Sequence, residues 1–294
     1  MTSDARVERA PRFSLRLRLR NPFPGDVLST AGLVILVVLL AVAVLRPILP
    51  LGSPDQIGNG PRLAAPSGAF PFGTDTLGRS MLPRVVEALG NTFLASAIAV
   101  TITTVIAVLL GALAGYYRGV VDAAIGRMSD IFFAFPAILL ALLIVTVVGP
   151  GETGTIVAIV LIALPLMTRV VRGAALSVAD REFIVSAEVS GASVPRLIVT
   201  HLLPNVAGAV AVQMTFALSV AMLIESGLSF LGLGIQPPAA SLGSLVYDGI
   251  DYLTFAPWLI LIPGALLALA ILAVNLVGDG LRDRFEPQEP RPLR

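Results

Sequence analysis

Apolar positions in this chain gather into long runs rather than recurring at the three-to-four spacing of a half-buried helix or the alternation of a half-buried strand. Six runs stand out: residues 27–45, 92–116, 131–148, 155–171, 206–224 and 258–277. A segment that is apolar all round has no polar face to give to water. At about 1.5 Å per residue each run crosses a hydrocarbon layer of about 30 Å, the fourth only just. Lipid offers the backbone no hydrogen-bonding partner, so runs of this length without period-two alternation select the helix. The pattern predicts an all-α polytopic membrane protein with six transmembrane helices.

Composition agrees and narrows the chemistry. Of 294 residues 56% are apolar and 13% charged, about half the roughly 25% of soluble domains. All 20 basic residues are arginine, so the Lys of a phosphate-binding loop is missing and ATP work falls to a partner. With no cysteine and one histidine, His201, thiolate chemistry, disulfides and His-rich metal sites are excluded.

The polar stretches divide the chain into an Arg-rich tail (1–26), a six-span domain (27–277) and a short C-terminal tail (278–294). The first run is followed by Leu45-Arg46-Pro47 and lacks a small-residue cleavage site, so it reads as an uncleaved span. Six spans put both termini on one side. Sixteen arginines then fall on the side of the tails and four (Arg46, Arg62, Arg79, Arg84) on the other. The positive-inside rule makes the tail side cytoplasmic. The tail itself reads as a cationic arm against membrane lipid headgroups, worth about 1 kcal/mol per Arg, and not as a nucleic-acid arm. Residues 46–90 and 226–256 are external; the former, rich in Pro and Gly, reads as a turn-rich loop.

The cytoplasmic segment 172–203 carries helical signals of its own. Ser177-Val178-Ala179-Asp180 has the spacing of a capping box and predicts a helix start there. That helix runs through Phe183 and Ile184, both expected to be exposed, to Gly191, whose tolerance of positive φ suits a C-terminal cap. Ser193 caps a second short helix that ends at Leu203, before Pro204 opens the fifth span. Two short helices at a sharp turn, tethered at both ends to spans, make a lever that a soluble partner could push. A passive connector is the alternative, and exposed apolar Phe183 and Ile184 tilt the reading toward a docking surface.

The stretches Arg181 to Ala187, Gly191-Ala192-Ser193 and His201-Leu202-Leu203-Pro204-Asn205 resemble the EAA loop of ABC importer permeases. Further motifs widen the likeness: Phe72-Gly73-Thr74-Asp75-Thr76-Leu77-Gly78-Arg79, Ala114-Gly115-Tyr116-Tyr117-Arg118-Gly119, Ala134-Phe135-Pro136, Leu228 to Gly234 with Pro237-Pro238, and Asn275-Leu276 with Gly278 to Asp283. As an ordered set they are similar to the dipeptide/oligopeptide/nickel subfamily, and within it to the C-type permease subunit. The resemblance implies the type I ABC importer permease fold and no catalysis in this chain. It also implies a homologous B-type permease partner, two ABC ATPase subunits that bind ATP and Mg²⁺, and an extracytoplasmic substrate-binding protein. Its coupling helix maps onto Glu182, Phe183, Val185, Ser186, Ala187, Glu188, Gly191, Leu203 and Pro204. Val185 stands where the motif has Glu, and Leu242 where the subfamily usually has Trp.

Other residues complete the expectations. Glu225 and, beside it, Ser229 are candidates for the substrate route, because an acid near membrane depth is costly; at a span end Glu225 would instead reach interfacial water. Pro136, Pro165 and Pro263 fall inside spans and are candidate kinks. Asn91, Asn275 and Gln213 are expected to bond between helices. His201 faces no partner that would make it a proton carrier, and its place on the other side of the membrane from Ser229 excludes a serine protease. Peptides are the cargo that the resemblance favours, with nickel chelates, glutathione or short oligosaccharides as alternatives on the same architecture. An ion-driven carrier would show inverted repeats and midplane ionisable residues, which are not evident.

Overall fold

A computed structural model describes residues 26–285, and the described residues contain helices and no strand. The helices are α1 (Val27–Leu45), α2 (Met81–Tyr117), α3 (Gly119–Phe133), α4 (Ala137–Val148), α5 (Glu152–Ala179), α6 (Glu182–Val189), α7 (Val194–Arg196), α8 (Leu203–Phe230), α9 (Leu242–Gly249) and α10 (Trp258–Phe285), with a π turn at Leu197–Leu202. The Arg-rich tail and the last nine residues, on which two domain expectations fall, lie outside the described residues.

Five helical stretches are long and apolar enough to cross a membrane, with α7, the π turn and α8 forming one of 37 residues. The third expected span differs. It is not one helix through 131–148 but two, α3 and α4, bent by 92°. Pro136 is the reason: it cannot donate to a continuing ladder, and it stands at the N-cap of α4. Pro165 and Pro263, by contrast, sit within helices that continue past them.

The second span starts eleven residues before the expected 92, at Met81. Arg84 and Glu87 hide this first part from a hydropathy reading, yet Val85, Val86, Ala88 and Leu89 on the same turns are buried. Helices α8 and α10 likewise continue beyond their apolar runs, to Phe230 and Phe285.

Helices α2 and α5 form the most intimate pair, and small residues let their backbones close. A Cβ on Gly111 would stand 2.7 Å from Val171 Cβ, and one on Gly115 would stand 2.5 Å from Ala175 Cβ. The Gly111-x-x-x-Gly115 spacing puts both on one face, the arrangement that packs spanning helices when lipid supplies no hydrophobic drive. Helix α1 lies on the outside of the bundle against α10, with Gly32 against Ala273 and Leu276. The antiparallel order brings Asp26 and Phe285 to the same end as α6, called here the lever end; residues 46–80 and α9 form the opposite, loop end.

The loop end is more ordered than a turn-rich segment suggests. Asp75 accepts hydrogen bonds from the N–H groups of Leu77 (2.8 Å) and Arg79 (2.9 Å) and pairs with Arg79 Nε at 2.5 Å. Thr74 Oγ1 donates to Pro61 O and accepts from Ala64 N. The Phe72 to Arg79 motif is thus a set of internal staples. Residues 231–257 contain α9, whose N-cap Ser241 forms a capping box with Ser244.

Candidate functional site

At the lever end the chain turns sharply twice. The expected capping box at Ser177 is not formed: helix α5 continues through it, Ser177 Oγ donates to Ala174 O at 2.8 Å, and Asp180 is the C-cap. The apolar register of α5 keeps Val178 buried and holds that turn helical. Helix α6 therefore begins at Glu182, with Arg181 as N-cap.

Gly191 ends the first arm at φ +85°, and its N–H donates to Glu188 O at 2.9 Å. A side chain there would be strained by its own Cβ. Ser193 is the next N-cap, and Pro195 sits harmlessly in the first turn. The second arm does not stop at Leu203 as expected. It passes through the π turn straight into α8, because the wide turn takes up the ladder bond that Pro204 cannot make. The second arm, the π turn and α8 thus form one continuous helical stretch, Val194–Phe230.

Helix α6 is fixed on one face only. Ile184 was expected to be exposed, but it is 2% exposed and packs with Val178 and Val206. Phe183 does project outward, its ring 6.4 Å from that of His201. Val185 and Val189 join it on the exposed side, Val189 at 84%. Glu182, Ser186 and Glu188 are exposed around them, Ala187 is half-buried, and Tyr116 Oη donates to Glu188 Oε1 at 3.4 Å. Leu203 is half-buried and Pro204 exposed at the root of α8.

Charged pairs that no local pattern announced brace the lever end. Arg118 pairs with Asp180 at 2.7 Å, Arg172 with Asp122 in a two-bond fork, and Arg169 with Asp130 at 3.4 Å while its guanidinium lies 4.7 Å over the Phe133 ring. These partners are 39 to 62 residues apart in sequence, so only tertiary structure reveals them.

Glu225 and Ser229 come together, but not on an open surface of this chain. Glu225 is fully buried and does not reach interfacial water. Its Oε1 accepts from Ser229 Oγ at 2.7 Å and its Oε2 from Ser226 Oγ at 3.2 Å, and the Thr92 and Ser241 hydroxyls lie beside it. Thr92 Oγ1 accepts from Leu242 N at 3.1 Å, and Asn91 Nδ2 donates to Ala240 O at 2.8 Å. The cluster ties α9 to α2 and α8. Asn91 thus bonds across the bundle, though to the loop that leads into α9 and not to a second helix; Gln213 and Asn275 have no hydrogen-bond partner among the described residues, and both line an open recess. No group of acidic or His side chains suited to a metal ion occurs among the described residues.

Comparison with known proteins agrees with this architecture. Residues 107–289 match the family described as binding-protein-dependent transport system inner membrane component. The chain is 36% identical over 261 residues to the dipeptide transport system permease protein DppC of Alkalihalophilus pseudofirmus, covering 89% of this chain and 86% of that protein. It is 34% identical to the di/tripeptide transport system permease protein DppC of Pseudomonas aeruginosa, covering 88% of each. It is also 34% identical to the probable D,D-dipeptide transport system permease protein DdpC of Escherichia coli, over 98% of this chain and 96% of that one. A chain of the MetNI methionine ABC transporter, solved facing inward, shares the fold with a TM-score of 0.53 at 21% identity, over 69% of this chain and 94% of its own. The chain belongs to the binding-protein-dependent transport system inner membrane components, as a multi-pass permease subunit of an ABC importer in the bacterial inner membrane.

Proposed function

We propose that this permease carries di- and oligopeptides into the cell and forms half of the route, the other half coming from a homologous B-type permease. Two ABC ATPase subunits lie beneath it and hold ATP and Mg²⁺; an extracytoplasmic binding protein delivers cargo from the loop end. The lever end and both termini are cytoplasmic, in keeping with the arginine distribution. The names of its relatives support the peptide cargo.

One observation carries the coupling role: α6 presents Phe183, Val185 and Val189 outward at the tip of an arm whose other half continues unbroken into α8. Exposed apolar groups clustered at such a tip suit burial in a partner's groove. With Val185 in place of the motif's Glu, that contact is apolar at its centre, flanked by Glu182 and Glu188. ATP-driven closure of the ATPase subunits moves the tip, and α8 converts the motion into alternating access.

The test is uptake of a labelled dipeptide by proteoliposomes holding the full complex and its binding protein. Uptake is expected to require ATP, to survive collapse of ion gradients, and to be lost in Gly191→Pro, since proline holds φ near −65° where the turn needs a positive value. Uptake driven by an ion gradient without ATP, or full activity of Gly191→Pro, would overturn the proposal.

A further inference from the structure

Helices α5, α8 and α10 leave a recess of about 450 Å³ between them on the lever half of the bundle. This lies within the roughly 300–1,000 Å³ of small-molecule sites. Leu166 of α5 and Phe216 of α8 form apolar walls, and Gln213, Asn275, Asp279 and Arg282 supply polar groups. The α10 residues lie at i, i+4 and i+7, on one face. Gly278 brings α10 so close to Thr215 of α8 that a Cβ would stand 2.5 Å from Thr215 Oγ1, which fixes the two faces at one level. Asn275 is in the last turn of the apolar run 258–277, and Gln213 lies seven residues inside the run 206–224. Their amides are therefore at membrane depth.

Neither amide has a hydrogen-bond partner among the described residues, and Asp279 has no ion pair among them. Polar side chains at this depth face a protein interior or a water-filled cavity, because lipid leaves them unsatisfied. In this open recess the amides lie toward the middle of the spans and the charged groups one and two turns nearer the lever end. That order of groups complements a molecule with peptide bonds along its length and an ammonium group at one end.

We infer that this recess is the inner vestibule of the cargo route. In it Gln213 and Asn275 bond to the backbone amides of a short peptide, and Asp279 receives its free amino terminus. The inference rests on the peptide-import reading above and names the residues of this chain that touch the cargo.

The chain has no native cysteine, so label found on this subunit reports on the single substitution alone. In the complete complex in nanodiscs without ATP, Gln213→Cys and Asn275→Cys are treated with a charged, water-soluble methanethiosulfonate reagent; Val37→Cys on the outward side of α1 is the lipid-facing control. Both recess cysteines are expected to react and the control to stay unmodified. Dialanine at roughly ten times its dissociation constant should slow labelling about tenfold, as the unoccupied fraction falls. N-acetyl-dialanine should protect far less, and adding Asp279→Asn should remove the protection by dialanine. Recess cysteines as inert as the control, or labelling indifferent to dialanine, would overturn the vestibule. Equal protection by the acetylated peptide would overturn the role of Asp279. If ATP-driven dipeptide uptake persists while the cysteines fail, the site is wrong and the import function stands. If uptake itself fails, the peptide reading is wrong.

Discussion

Truncation of Glu225 tests how the loop end is held together. In the native chain its carboxyl accepts from the Ser226 and Ser229 hydroxyls and lies beside those of Thr92 and Ser241. Glu225→Ala removes the common acceptor and leaves a void where one methylene and the carboxyl group had packed. Three of the hydroxyls, on α2 and α8, can swing to the carbonyl one turn back. Ser241, an N-cap outside any preceding helix, has no such carbonyl. The lost volume costs about 2 kcal/mol, and one buried hydroxyl left unpaired adds about 1–2 kcal/mol. Glu225→Ala is therefore expected to destabilise by about 3–4 kcal/mol. Glu225→Gln keeps the volume and one acceptor oxygen, and is expected to cost about 1 kcal/mol. Unfolding of the purified chain by titration with a denaturing detergent measures both, and Ser241→Ala in each background measures the coupling. Equal stability of the alanine and glutamine variants, or additive effects of Glu225→Ala and Ser241→Ala, would refute the cluster as the tie between α8 and α9.

Gly111→Val is expected to push α2 from α5, because its Cβ would stand 2.7 Å from Val171 Cβ, about 1 Å inside normal contact; a loss of about 1–3 kcal/mol in the same unfolding assay checks it. Asp122→Ala should weaken the brace between α3 and α5 by about 1 kcal/mol or less, since the pair is partly exposed, while exchange of the two residues as Asp122→Arg with Arg172→Asp recovers most of it. The Asp26 carboxyl is held below its ordinary value by the Ser29 side chain and then by the N–H groups of Ser29 and Leu28. A lowered folded value means that the cap contributes stability above the ordinary carboxylate range and loses it as pH falls through the lowered value. Protection of the Leu28 and Ser29 amides, relative to the intrinsic exchange rate at each pH, should thus fall only at strongly acidic pH, and at neutral pH in Asp26→Ala.

Elements whose burial is uniform were legible in the sequence, and those set by long-range partners were not. The apolar runs fixed the existence of α1, α5, α8 and α10 because lipid demands the same of every face. Pro136 announced a bend, yet its size depends on how α4 packs against α5, which no local spacing encodes. The start of α2 was missed because Arg84 and Glu87 look soluble one at a time; only the loop residues Asp55 and Asp75 and the nearby Arg46 make them affordable at that depth. Gly191 was read correctly because its requirement is local, a positive φ. Ser177 was misread because a capping-box spacing also occurs inside helices, and burial of Val178 decided the matter. Glu225 was legible as unusual but not as internal, since its partners Thr92 and Ser241 come from elements distant in sequence.

In the proposed function the tip of α6 sits in an ATPase subunit and moves with nucleotide. The most direct measurement is cross-linking from a single cysteine at Val189, the most exposed apolar residue of the tip, to cysteines around a groove of the ATPase, in the complete complex with and without ATP. The expected result is a cross-link to the ATPase whose partner position or yield changes when ATP binds, and its loss in Gly191→Pro. A tip that never reaches the ATPase, or one that cross-links identically in every nucleotide state and in Gly191→Pro, would contradict it.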